Sequence, residues 1–175
     1  MNIIRSKLAL ELHSVPRVNY PTRKYELKSE KDLLQADLIE MSSLSRFIKG
    51  YRYILVVINC FTKYAYCIPL KNKTAQSVYN ALEPIICKNR HMRFFQTDGG
   101  KEYFNKHVKD LLDKYNIKPY SVFSDKKASI AERFNRTIKS KIYRSLTERG
   151  SKNWVNNLQN IVDDYNNTAH STIGM

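Results

Sequence analysis

The densest apolar stretch of the chain is YRYILVVINCF, residues 51–61, whose β-branched and aromatic residues mark a strand. KYAYCIPL follows after a very short break and predicts its hairpin partner, closed by Pro69. Upstream, LLQADLIEM alternates poorly but is apolar enough for a buried strand, and SSLSRFIKGY reads as a turn with Gly50 near its end. Downstream the period lengthens. Thr74 fits the N-cap of a helix, TAQSVYNALEPIICKN, of about four turns, which Pro84 is expected to kink or divide. MRFFQTD predicts a fourth strand. In KEYFNKHVKDLLDKYN the apolar positions Phe104, Val108, Leu111, Leu112 and Tyr115 have helical spacing. KPYSVF predicts a fifth, short strand, and SDKKAS a polar loop. A helix from Ile130 to Leu146 comes next. SKNWVNNLQNIVDDYNNTAH predicts another, with Ser151 as its cap and Trp154, Leu158, Ile161, Val162 and Tyr165 on one face.

Three strands, then alternating helices and strands, imply an α/β class in which a mixed five-stranded sheet carries helices on its faces. Residues 1–32 read as an irregular basic arm broken by Pro16 and Pro21, with a short helix over Ile4–Leu12, and residues 33–175 as the globular part. At 175 residues the chain can bury a core, its 42% apolar content is too high for disorder, and no apolar run reaches membrane-span length. The opening residues lack the features of a secretory signal. Cys60, Cys67 and Cys87 form no paired motif and read as buried free thiols in a reducing compartment.

Charge changes the picture. Thirty Lys and Arg against sixteen Asp and Glu leave a formal net charge of +14 and a pI near 9.7. Such an excess attracts polyanions, above all nucleic acid. Against it stand three carboxylates: Asp37 inside the first strand, Asp98 at the end of the fourth, followed by Gly99-Gly100, and Glu132 at the start of a helix. Strand ends are where α/β sheets place ligands, and acids on adjacent strands can share a metal. Two ions about 3.5–4 Å apart would serve phosphodiester displacement. Spacing alone does not choose among the acids: Glu40, Glu102 and Asp125 are rivals, with Glu102 on the first turn of the next helix serving its dipole and Asp125 solvated in a loop. His13, His91, His107 and His170 are scattered and form no metal motif. After Glu132, Arg136 and Lys139 at +4 and +7 share its face, with Lys141 and Arg144 slightly rotated from it; Lys126 and Lys127 precede it in the loop. These cations fit contacts to DNA phosphate, and equally a solvated basic face.

Four blocks carry a family resemblance. QADLIEM, TDGGKEYFNKHVKDLL, SDKKASIAERFNRTIKSKI and NWVNNLQNIVDDYNNTAHSTIGM resemble, in order, the blocks of retroviral-type DDE integrase catalytic cores. The wording SDKKA…ERFNRT is closest to the integrases of Maverick/Polinton transposons and virophages. The resemblance implies an RNase H-like fold, and a triad of Asp37, Asp98 and Glu132 that binds two Mg²⁺ or Mn²⁺ ions. It also implies 3′-end processing and strand transfer of element ends into target DNA by a dimer or tetramer in the host nucleus, with no membrane partner. It places Arg136 and Lys139 where relatives hold terminal DNA. Departures are visible: Asp98 and Glu132 enclose 33 residues, slightly fewer than in retroviral relatives, and SDKKAS replaces the usual glycines and proline. With no zinc module before it and no β-barrel or chromodomain after it, the chain is expected to be an excised core. An RNase H-like nuclease and a non-catalytic DNA-binding module are the competing readings.

Overall fold

A computed structural model describes residues 27–121 and 129–169. The expected basic arm up to residue 26, the helix over residues 4–12, Asp125, Lys126, Lys127 and His170 lie outside the described residues. The five strands are β1 (Leu33–Glu40), β2 (Tyr53–Asn59), β3 (Ala65–Leu70), β4 (Phe94–Thr97) and β5 (Lys118–Ser121). They form one sheet in the order β3-β2-β1-β4-β5. The β1-β2 and β2-β3 pairs are antiparallel, while β1-β4 and β4-β5 are parallel. The expected mixed five-stranded sheet is therefore present. Residues 30–32 already bond into it: Asn59 Nδ2 donates to the Glu30 carbonyl and Phe94 N–H to the Asp32 carbonyl.

Among the described residues, four α-helices cover the sheet: α1 (Ala75–Lys88), α2 (Lys106–Lys114), α3 (Ser129–Glu148) and α4 (Val155–Asn166). β2 shows why both faces need cover. Leu55 and Val57 join Leu34, Ala36 and Phe95 under Val78, Leu82 and Ile86 of α1 and Val108 and Leu112 of α2. Ile54, Val56 and Ile58 point the other way, into Phe134, Ile138 and Ile142 of α3 and Leu158 and Val162 of α4. Alternation along one strand thus builds two cores. The second also holds Trp154, and Phe134 meets Tyr165 edge-on at 4.7 Å between ring centroids. At the sheet's outer edge, Asn166 accepts from Ala65 N–H and donates to Ala65 C=O, both at 2.9 Å, so the last turn of α4 satisfies backbone groups at the start of β3.

Several expectations change. Thr74 does cap α1, accepting from Ser77 N–H, but Pro84 neither divides nor ends the helix, which runs through it. Its ring sits on the exposed face, and only one intrahelical bond is lost. Pro69 lies within β3, an edge strand where a missing N–H is tolerated. The helix after Asp98 begins at Lys106, because Asn105 caps it by accepting from Val108 N–H. Glu102 therefore lies in the preceding turn rather than on the helix, and Phe104 is half exposed at 49% instead of in the core. Ser151 does not cap α4: its hydroxyl accepts from Asn153 N–H, and the helix starts at Val155. Cys60 and Cys67 are buried free thiols, and burial pushes Cys60 up to about 12. Cys87 is exposed, on the outer side of α1, with its sulfur 3.2 Å from the Tyr115 hydroxyl. Among the described residues no helix is long and apolar enough to cross a membrane.

Candidate active site

Parallel pairing brings the first two acids together. Gln35 of β1 is in register with Gln96 of β4. Asp37 and Asp98 each lie two residues further along, on the same face as their glutamines, so the two acids sit side by side where the ladder ends. Glu132 comes from the first turn of α3, which packs on that face of the sheet. Its helix is tied to the strand directly: Ala131 N–H donates to Gln35 Oε1 at 3.0 Å.

Asp37 is half-buried and held at both oxygens. Leu38 N–H donates to Oδ1 at 2.8 Å, and Asn135 Nδ2, one turn beyond Glu132, donates to Oδ2 at 2.6 Å. Burial is the largest influence on its carboxyl and raises its pKa. The Leu38 N–H acts against it, the charges of Asp98 and Glu132 push the same way as burial, and the Asn135 bond again opposes. The three sequence-predicted acids thus share one electrostatic field. Asp98 is exposed and accepts from Gly100 N–H at 3.1 Å, in a turn that Gly99 allows with a φ of 79°.

The rivals fare differently. Glu40 is exposed at the end of β1, an odd step from Asp37 and so on the opposite face, where it accepts from Ser42. The Glu102 carboxylate folds over Gly100, where a Cβ would come within 2.6 Å of its Cδ. Beneath the acids, Tyr103 is 4% exposed and its hydroxyl has no hydrogen-bond partner. Burial, then the charges of Asp37, Asp98 and Glu102, hold that phenol well above its ordinary range, so it stays neutral.

Among the described residues, no three acidic, His or Cys side chains stand close enough together to grip one ion as they are. The donor chemistry nevertheless suits a hard divalent cation: all-oxygen ligands whose mutual repulsion a cation relieves. Asp98 and Glu132 are exposed and can turn at little cost.

On α3, Arg136 is exposed and Lys139 half-exposed, on Glu132's side of the helix. Lys141 departs from expectation. Nine residues at 3.6 per turn carry it to the far side from Glu132, not slightly round from it. There it lines a shallow open depression with Arg133, Arg136, Thr137 and Ser140. Arg133 also borders a neighbouring hollow with Lys63, whose ammonium donates to the Cys60 carbonyl; burial lowers the Lys63 pKa. Sequence reasoning missed Lys63, Arg133, Asn135 and the glutamine pair. Helical phase, which sets Asn135 between Glu132 and the buried stripe of α3, carried a hint to that residue.

This sheet order, with one acid inside β1, a second just past the end of the adjacent parallel strand β4 and a third on a covering helix, is an RNase H-like arrangement. Residues 28–122 match the Integrase core domain family, and the chain belongs to it. That family acts on DNA and depends on divalent cations. A transposon-derived protein of Caenorhabditis elegans is 33% identical over 135 residues, covering 75% of this chain and 47% of that protein. The retrovirus-related Pol polyprotein from transposon 412 of Drosophila melanogaster is 34% identical over 122 residues, 68% of this chain and 10% of the polyprotein. The Gag-Pol polyprotein of feline leukemia virus is 29% identical over 121 residues, 67% of this chain and 7% of the polyprotein. The chain therefore spans less than half the length of these relatives.

Proposed function

We propose that this chain is the catalytic core of an integrase that trims the 3′ ends of a mobile element's DNA and joins them to target DNA. The observation that carries the reading is the convergence of three acid-bearing elements within a chain of net charge +14: β1 with Asp37 pairs in parallel with β4, which leads into Asp98, and α3 with Glu132 is hydrogen-bonded to β1 through Ala131 and Asn135. A pair of Mg²⁺ or Mn²⁺ ions bound by Asp37, Asp98 and Glu132 would activate the attacking oxygen and stabilise the leaving one. The chain's own residues do the rest. Leu38 N–H and Asn135 orient the Asp37 oxygens and leave each a free lone pair for a ligand. Arg136 and Lys139 draw the phosphate backbone along α3 toward Glu132, with Lys126, Lys127 and Lys141 as further phosphate contacts. The element is of the Maverick/Polinton or virophage kind, supported by the wording around Glu132. The protein works as a dimer or tetramer on paired DNA ends in the host nucleus.

The test is Glu132→Gln, assayed on duplexes carrying the element's own ends with Mg²⁺ or Mn²⁺ present. Trimming and joining should both fall by at least about 10³-fold, while the melting curve and DNA affinity stay near wild type. Full activity in the variant would refute the triad. Wild-type cleavage without joining would favour the hydrolytic nuclease; tight binding with neither, indifferent to metal, would favour the DNA-binding module.

A second expectation concerns salt. Arg136→Ala and Lys139→Ala should each weaken DNA binding and lower the slope of log Kd against log salt by about one unit per lost phosphate contact. An unchanged slope would mean that these cations face only solvent.

A further inference from the structure

Two glutamines lie at the floor of the site, and neither is exposed at all: Gln35 and Gln96 are both at 0%. A fully buried amide is costly unless its donors and acceptor are used. Gln35 uses both ends. Its Nε2 donates to Gln96 Oε1 at 2.9 Å, across the β1-β4 pair that carries Asp37 and Asp98. Its Oε1 accepts from Ala131 N–H at 3.0 Å, in the first turn of α3. Ala131 is itself at 0% exposure and adjoins Glu132. One side chain thus joins all three elements that supply the acids. The first-turn N–H groups of a helix have no partner within it, so this bond also fixes where α3 begins.

We propose that Gln35 is a positioning residue: through its two hydrogen bonds it sets the place of Glu132 relative to Asp37 and Asp98, and so the affinity of the triad for divalent metal. The inference deepens the reading of the triad as a metal site and rests on it. Shortening or deleting the amide leaves the acids intact but frees the start of α3. Outer contacts of this kind typically change metal affinity by about 10–100-fold when lost.

The experiment is calorimetric titration of the 175-residue protein with Mn²⁺ alone, alongside hydrogen exchange at the Ala131 amide. Gln35→Met keeps the length and removes both bonds. Gln35→Asn keeps the amide but falls one methylene short, and serves if the first variant folds poorly. Both should weaken Mn²⁺ binding by about 10-fold or more and speed exchange at Ala131. The comparison variant is Leu82→Ala, in the core on the other face of the sheet, which lowers stability without touching the site. It should leave Mn²⁺ affinity unchanged. If wild type binds Mn²⁺ and the Gln35 variants bind it equally well, the positioning role is refuted while the metal reading stands. The same holds if Leu82→Ala weakens binding as much as they do. If wild type binds no Mn²⁺, the metal reading fails and takes the inference with it.

Discussion

Asp37→Asn should destroy DNA trimming and joining and yet raise the melting temperature of the metal-free protein at neutral pH. Loss of activity follows from removing a charged ligand, and at least about 10²–10³-fold is the scale for one lost electrostatic stabiliser. The gain in stability follows from linkage. Burial, reinforced by Asp98 and Glu132, raises the Asp37 carboxyl above its unfolded value. Between the two values the folded protein holds more protons than the unfolded chain, so stability falls as pH rises through that window. At neutral pH the ionised Asp37 is therefore a net burden on the metal-free fold. The amide removes the charge, and the hydrogen bonds can be kept. Asn135 Oδ1 is buried without a partner, so the Asn135 amide can turn and accept from the new side chain. Paired melting curves should diverge at neutral pH and converge below the carboxylate range. Equal melting temperatures at all pH values would mean that Asp37 is not strained by its neighbours.

Trp154→Ala should cost about 3–5 kcal/mol, a large share of a typical domain's stability. Trp154 is 1% exposed and sits among the residues that hold α3 and α4 to the sheet. Its removal opens a cavity under the helix that carries Glu132. The lower end of the range applies, because the indole N–H is buried with no partner and deleting it relieves a small cost. The melting temperature should drop by roughly 6–12 °C. Trp154→Phe, which removes that orphan donor and keeps an aromatic ring, should lose far less. A melting temperature unchanged by Trp154→Ala would show that α4 does not anchor this layer.

Strands and helices were readable where one period dominated. YRYILVVINCF could only be a strand, and Leu158, Ile161 and Val162 do line the buried face of α4. Element starts were less legible, since they turn on single capping contacts. Asn105, five residues into the expected helix, wins over earlier candidates because its side chain reaches Val108 N–H. Trp154, not Ser151, precedes α4 because the Ser151 hydroxyl is engaged with Asn153. Pro84 shows the reverse: a residue that breaks an isolated helix is carried when both core-facing neighbours, Leu82 and Ile85, are buried.

The poor alternation of LLQADLIEM was a clue that only the fold explains. Gln35 looks like a polar interruption, and it is a fully buried partner of Gln96, 61 residues away. By itself the sequence determined the mixed sheet, a short set of candidate acids and the basic helix that begins at Glu132, because periodicity, charge and block order are properties of neighbours along the chain. Tertiary structure alone decided that the strand holding Asp37 lies parallel and next to the one that leads into Asp98, that Asn135 holds Asp37, and that Gln35 ties α3 to both strands. Those are contacts between residues far apart in the chain, and hydrogen bonds to buried amides exist only once the sheet and its covering helix have met.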